Sequence, residues 1–213
     1  CAESLEQRVA DGDFGDGAAA DELREYLGLI KSETFRCKTI TNGLLDFSRV
    51  RTGEREEMDV ADIVRSAANL ISHQKRGNSI DISVKAGQDI DKIQGDGGQI
   101  QQAVIALATN AIDAMPNGGK LKFCVRQDPR RVIIEVSDTG IGIPTEDLPR
   151  IFEPFFTTKE VGKGTGLGLA VCYGIVSEHS GRISVRSSLG KGTTFTISLP
   201  LQAPIANAQI ISR

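Results

Sequence analysis

No apolar run in this sequence approaches the roughly 18 residues needed to cross a bilayer, and no signal peptide opens it. The sequence therefore supplies no membrane span. No CxxC pair occurs either: Cys1, Cys37, Cys124 and Cys172 are widely scattered. That pattern argues for free thiols in a reducing compartment rather than disulfides or a zinc site, and the thiols read as small buried hydrophobes. Blocks of like charge are missing. Lys and Arg number 25 against 28 Asp and Glu, for a net charge of −3 with the signs interspersed. Neither a nucleic-acid surface nor a polybasic membrane anchor is indicated, and no broad acidic or basic partner face is expected. Histidine is scarce, and neither His73 nor His179 has a base or nucleophile beside it in sequence, so both read as surface residues. There is no internal repeat and no initiating methionine, so the chain reads as a piece of something longer, with any sensor or membrane segment upstream.

What remains is 213 residues, 39% apolar, 25% charged and 5% aromatic. That suffices for one full domain with a buried core plus an appendage. Residues 1–9 read as the tail of a helix, ended by the Asp/Gly loop DGDFGDG. From 21 to about 51 no Pro intervenes, and Tyr26, Ile30, Cys37, Ile40, Leu44 and Phe47 recur on one helical face, widened by Leu23, Leu27 and Leu45. Such a helix pairs with others in a bundle or caps a core. A second helix follows over 62–74, capped by Asp59 or Asp62, and a third over 99–115, stopped by Pro116-Asn117-Gly118-Gly119. Alternating strands read at 79–86, about 89–94, KLKFCVRQ, RVIIEVSD and on either side of Gly190-Lys191-Gly192, with a last helix over 165–179. The predicted fold is α/β: a two-layer sandwich of a mixed, mostly antiparallel sheet with three helices on one face, preceded by a partial helical hairpin.

Two glycine-rich turns carry the chemistry. Asp138 ends an apolar strand and is followed by Thr139-Gly140-Ile141-Gly142. A carboxylate there can accept from an exocyclic amino group while glycines let a flat base approach the backbone; the alternative is a turn-capping Asp. Gly162-Lys163-Gly164-Thr165-Gly166-Leu167-Gly168 supplies amide donors, an ammonium and a hydroxyl at a helix start, as a polyphosphate requires. It holds no GxxxxGK[ST], so it is not a Walker loop. Asn110 and, one turn on, Asp113 share a helix face, and an amide oxygen suits a magnesium ion that keeps waters and bridges phosphates, unless the pair is simply exposed. Lys159 is a second cation for the terminal phosphate or a solvated lysine. Phe152, Phe155 and Phe156 read equally as core or as a hinge.

With these segments in order, the chain resembles the kinase core of bacterial sensor histidine kinases, within the superfamily that includes gyrase, the heat-shock chaperone ATPase and the mismatch-repair ATPases. QIQQAVIALATNAIDAMPNGG resembles the asparagine box, SDTGIGIP the first glycine box, IFEPFFTTK the phenylalanine box and GKGTGLGLAVCYGIV the second glycine box; LREYLGLIKSETFRCKTITNGLLDFSR resembles the second helix of the dimerisation and phosphotransfer hairpin. The resemblance implies ATP with magnesium, Asp138 on adenine, Asn110 on the metal, and nucleotide contacts from Asp113, Gly140, Gly142, Lys159, Gly162, Lys163, Gly164, Thr165, Gly166, Leu167, Gly168 and Thr194. It also implies a lid over about 144–164, with a truncated hairpin at 1–55, a catalytic domain at 56–201 and a tail at 202–213.

Two departures stand out. Ala106 occupies the position where the family usually has another Asn, and the phosphoacceptor histidine is expected upstream of Cys1. The implied reaction is transfer of the γ-phosphoryl group of ATP to that histidine and on to a response-regulator receiver aspartate, in a cytoplasmic homodimer. No contact with nucleic acid or membrane is expected from this stretch. A nucleotide-responsive binding module without phosphotransfer and a non-kinase ATPase of the same superfamily are the alternatives.

Overall fold

The computed structural model describes residues 21–23, 25–30, 33–34, 55–73, 80–159 and 164–201. Two compact units are formed, one from Cys1–Val50 with Phe155–Leu167, the other from Arg51–Pro154 with Gly168–Arg213. In the first, residues 21–23, 25–30 and 33–34 are helical. Within that helix Tyr26 donates to Glu22 one turn back, and Thr34 to the Ile30 carbonyl. Leu27 is buried and Tyr26, Leu29 and Ile30 are exposed. The expected helix tail at 1–9, the rest of the long helix with Cys37, Ile40, Leu44 and Phe47, and the tail from 202 lie outside the described residues.

The second unit runs β1 (Glu56–Met58), α1 (Val60–His73), β2 (Ile80–Ala86), β3 (Ile93–Gly95), α2 (Gly97–Asp113), β4 (Gly119–Gln127), β5 (Arg131–Asp138), α3 (Gly168–Glu178), β6 (Arg182–Ser188) and β7 (Gly192–Pro200). Five strands form one sheet in the order β2-β4-β5-β7-β6. β2 is parallel to β4 and the other pairs are antiparallel, which makes the sheet mixed, as expected. β1 and β3 form a separate antiparallel pair. β1 was not foreseen, because three residues reading Glu-Glu-Met show no alternation of apolar and polar side chains.

Three helices cover one face because each presents an apolar stripe. α1 buries Val60, Val64, Ala67 and Ile71, steps of three and four residues, and Asp59 caps it by accepting from the N–H groups of Ala61 and Asp62. α2 buries Ile100, Ala103, Val104, Leu107, Ala108 and Ala111, capped by Asp96. Its alanines let α2 lie between α1 and α3, where the Cys172 thiol donates to the Ala103 carbonyl. Burial pushes that thiol's pKa up to about 12, so Cys172 is an inert core residue.

The far ends of α2 and α3 meet at His179. Its Nδ1–H donates to the Ile175 carbonyl at 2.8 Å, while Nε2 accepts from the Asp96 N–H at 2.9 Å. The ring thereby satisfies a carbonyl at the end of α3 and fixes the cap of α2. This corrects the expectation of a surface histidine: His179 is half-buried, whereas His73 is exposed as expected. The signal was absent because its partner lies 83 residues away in sequence.

The other face of the sheet also departs from expectation. Leu121, Phe123 and Val125 point to the helices, so Lys120, Lys122 and Arg126 point away from them. The same alternation places Lys85 of β2, Arg131 of β5, and Arg182 and Arg186 of β6 on that face. The only acids joining them in the sheet are Asp81 and Glu135, and Glu135 is paired with Arg126 at 3.2 Å. Thr194, Thr196 and Ser198 of β7 fill the middle. Charges that are interspersed along the chain are thus sorted by strand period into one basic face, contrary to the expectation that no such face exists.

His179→Ala, which leaves the Asp96 N–H without its acceptor, is expected to lower unfolding free energy by about 1–3 kcal/mol. His73→Ala is expected to stay within about 0.5 kcal/mol in the same denaturant titration.

Candidate functional site

The end of β5 is a crowded junction. Asp138 is buried, and its Oδ1 accepts two backbone N–H groups, from Gly140 at 2.8 Å and from Thr193 at 3.2 Å. Oδ2 takes neither bond. Burial is the larger influence on this carboxyl and pushes its pKa above the ordinary carboxylate value, with the two amide bonds pulling the other way.

Both sides of the turn after Asp138 are anchored. On one side the Ile141 N–H donates to the Ala114 carbonyl, just past α2, at 3.0 Å. On the other, the Ile143 N–H donates to Ser187 Oγ and the Gly190 N–H to the Ile141 carbonyl, each at 2.8 Å, tying the turn to the β6–β7 hairpin. This approach requires glycine at two places. A Cβ on Gly142, whose φ is +73°, would lie 2.1 Å from the Ser188 carbonyl oxygen. One on Gly192, with φ +83°, would lie 2.0 Å from the carbonyl oxygen of Asp138 itself.

A cavity of about 250 Å³ opens beside this junction, lined by Asp138, the hairpin residues Arg186 to Ser188 and Lys191 to Thr194. Ligand pockets commonly run roughly 300–1,000 Å³, and this cavity lies just below that range. Thr193, unforeseen in the sequence, is the residue that reaches Asp138. It is buried, and its hydroxyl bonds Ser187 Oγ at 2.9 Å. Thr194, which the resemblance implied, lines the cavity but turns its hydroxyl to Ser137 at 3.0 Å, on the basic face. The signal was present, since Thr193 shares the alternation of the buried Phe195, Ile197 and Leu199.

Asn110 is half-buried on α2 and Asp113 is exposed one turn further on, and both engage partners. The start of α3 comes to Asn110: a Cβ on Gly168 would lie 4.0 Å from its amide nitrogen. Ala106 sits half-buried one turn before Asn110. Among the described residues no group of three or more His, Cys, Asp or Glu side chains is placed to hold a metal ion. A metal here would therefore draw most of its ligands from phosphate and water, which suits magnesium and the single neutral oxygen of Asn110.

The segment expected to form a lid over 144–164 divides at Pro154. Up to that point it belongs to the larger unit, in successive turns between Pro144 and Glu153, with Ile151 buried and the Phe152 ring 5.8 Å from Tyr173 and 6.4 Å from Phe195. Phe152 is thus a packing residue. From Phe155 onward the segment belongs to the smaller unit. There Phe155 is exposed with φ +68° and donates its N–H to the Gly166 carbonyl at 3.0 Å, so the two arms of the segment run side by side. Thr157 Oγ1 accepts from the N–H of the exposed Lys159, and Thr165 Oγ1 from that of Leu167. Gly164 and Gly166 are half-buried; Gly162 and Lys163 lie outside the described residues.

A sheet covered by three helices, with a buried carboxylate at one strand end and an amide-bearing helix beside it, defines an ATPase-type nucleotide domain. The chain belongs to the histidine kinase-, DNA gyrase B- and HSP90-like ATPases, whose family model matches residues 95–203, and within them to the catalytic ATP-binding domains of bacterial sensor histidine kinases. It is 41% identical over 186 residues to the sensor kinase CckA of Brucella abortus, covering 80% of this chain and 20% of that protein. The catalytic domain of histidine kinase ThkA, nucleotide-free, matches with a TM-score of 0.63 at 32% identity, over 70% of this chain and 99% of that one. ThkA in complex with the response regulator TrrA matches with a TM-score of 0.71 at 28% identity, over 94% and 56% respectively. The chain spans a fifth of the length of its CckA relative.

Gly142→Ala is expected to cost about 1–3 kcal/mol by forcing a strained conformation against Ser188. Gly190→Ala, whose φ is also +73° but which meets nothing within 4 Å, is expected to cost less in the same thermal denaturation.

Proposed function

We propose that this chain is the nucleotide-binding catalytic part of a two-component sensor histidine kinase. It would bind ATP with magnesium and deliver the γ-phosphoryl group to the acceptor histidine of the helical hairpin to which residues 1–55 contribute, a histidine that is neither His73 nor His179, from which a response-regulator aspartate takes it. The observation that carries the reading is Asp138. Its Oδ1 is held by two amides, so Oδ2 can accept from the exocyclic amino group of adenine, a bond to a charged acceptor worth about 1.5–3 kcal/mol. Asn110 would hold the magnesium ion, with Asp113 beside it through water. The ion, when bound, would supply charge neutralisation across the phosphates, and the chain's own residues would supply placement.

The second glycine-rich segment is assigned to the phosphates on its sequence: amides of Gly162 to Gly168, the Thr165 hydroxyl, and the ammonium groups of Lys159 and Lys163. Neither histidine of this chain is assigned as the acceptor. Both ring nitrogens of His179 are engaged, and His73 matches no part of the acceptor motif. The partners proposed are the hairpin, a receiver domain, as TrrA is for ThkA, and a second copy of the intact protein. A cytoplasmic setting supplies the ATP.

Three measurements test this reading. Asp138→Asn keeps an oxygen for the two amides but turns a donor toward the adenine amino group, so ATP affinity is expected to fall about ten- to a hundredfold in a calorimetric titration. The pH dependence follows from the raised pKa. The ionised carboxylate is the acceptor, so affinity is lost as pH falls through a value higher than the usual carboxylate range near about 4. For folding the sign reverses: a carboxyl with a raised folded pKa favours the native state fully only below its unfolded value, and that contribution is lost as pH rises through the folded value. Asp138→Asn is therefore expected to melt no lower than the parent at neutral pH. Asn110→Ala is expected to abolish the difference between ATP affinities measured with and without magnesium; persistence of that difference would remove Asn110 from the metal.

A further inference from the structure

The basic face of the five-stranded sheet has no part in the chemistry above, apart from the corner at Arg186, Ser188 and Thr194, which also lines the cavity. It lies opposite the helices, and its cations come from four strands. Lys122 and Arg186 share one row across the sheet, linked through Ser137 and Thr194; Arg126 and Arg182 share another, linked through Ile133 and Ser198. Lys122, Arg126, Arg182 and Arg186 are all exposed. A chain whose net charge is −3 has therefore gathered positive charge on one sheet face roughly 20–25 Å on a side, as five strands of this length dictate.

The character of that surface selects among polyanions. A protein partner would find no interface core, since such cores are apolar and aromatic and poor in charge. The exposed large apolar residues of this unit, Leu70, Val84, Ile141, Tyr173 and Leu189, all lie off this face. Single-stranded nucleic acid would find no aromatic ring to stack on. A duplex would meet a broad five-stranded sheet rather than a helix or two-stranded ribbon able to enter a groove. Separated cations interleaved with hydroxyl groups, spread over a broad sheet face, suit a layer of phosphate groups whose spacing is free to adjust.

We propose that the helix-free face of this sheet is a docking surface for an anionic phospholipid bilayer, bound at its headgroups without insertion. The expectation that this stretch makes no membrane contact was drawn in part from charge order along the sequence, and the strand register arranges those charges differently. Attraction of this kind adds up over basic residues and is screened within about 10 Å at 0.1 M salt.

Co-sedimentation of the whole chain with phosphatidylcholine vesicles, with and without phosphatidylglycerol, tests the proposal. Binding is expected only to the phosphatidylglycerol vesicles, at low salt, and to be lost at high salt. Lys122→Glu with Arg182→Glu is expected to weaken it about tenfold or more, with the milder Lys122→Gln and Arg182→Gln pair intermediate and ATP affinity kept in both. Arg65→Glu with Lys92→Glu makes the same change in net charge on other surfaces of the unit and is expected to leave vesicle binding intact. Equal binding to both vesicle types, an equal loss in the Arg65 and Lys92 pair, or capture of polyglutamate or duplex DNA by this face with no binding to vesicles would each overturn the proposal. Because ATP affinity is read separately, failure here leaves the nucleotide site standing.

Discussion

The two backbone N–H groups that converge on Oδ1 of Asp138 are the contact on which this molecule depends. One comes from the turn that follows Asp138 and the other from β7, so the carboxylate is locked between a loop and a neighbouring strand. Holding one oxygen in this way leaves the other fixed and available, which is what recognition of an amino group requires. The arrangement opposes the stability of the empty protein, because burial raises the cost of the charge by more than the two amides recover. A carboxylate kept at such a cost is what the proposed role in binding adenine would require.

The surrounding architecture serves to hold that junction. The Ala114 carbonyl past α2 binds the turn from one side, the β6–β7 hairpin from the other, and Gly142 and Gly192 remove the atoms that would keep them apart. The same helix that anchors the turn carries Asn110, so the proposed base and metal contacts would be set by one element. At its other end, α2 is pinned to α3 through His179 and the Asp96 N–H. Charge is divided in a corresponding way, with the carboxylate at a strand end and the cations spread over the face away from the helices.

Much of this was legible in the residues. The steps of three and four in α1 and α2, the Asp cap of α1 and the glycine-rich turns located the helices and the Asp138 loop to within a few residues, because those signals are local. What escaped was set by pairing between distant segments. β1 is three residues long and exists only against β3. Ser187 holds Ile143 across 44 residues and His179 holds Asp96 across 83. Thr193 was passed over for Thr194 although strand period favours it, which shows that a family likeness is best checked against the alternation of the strand that carries it. The basic face was hidden for the same reason: it is created by register, and composition averages it away.

The most direct measurement is calorimetric binding of ATP and of purine riboside triphosphate, which lacks the 6-amino group, to the parent chain and to Asp138→Asn. The account predicts that the parent prefers ATP by about ten- to a hundredfold and that the variant has lost this preference. Equal affinity of the parent for the two nucleotides, or a preference that survives in the variant, would contradict it.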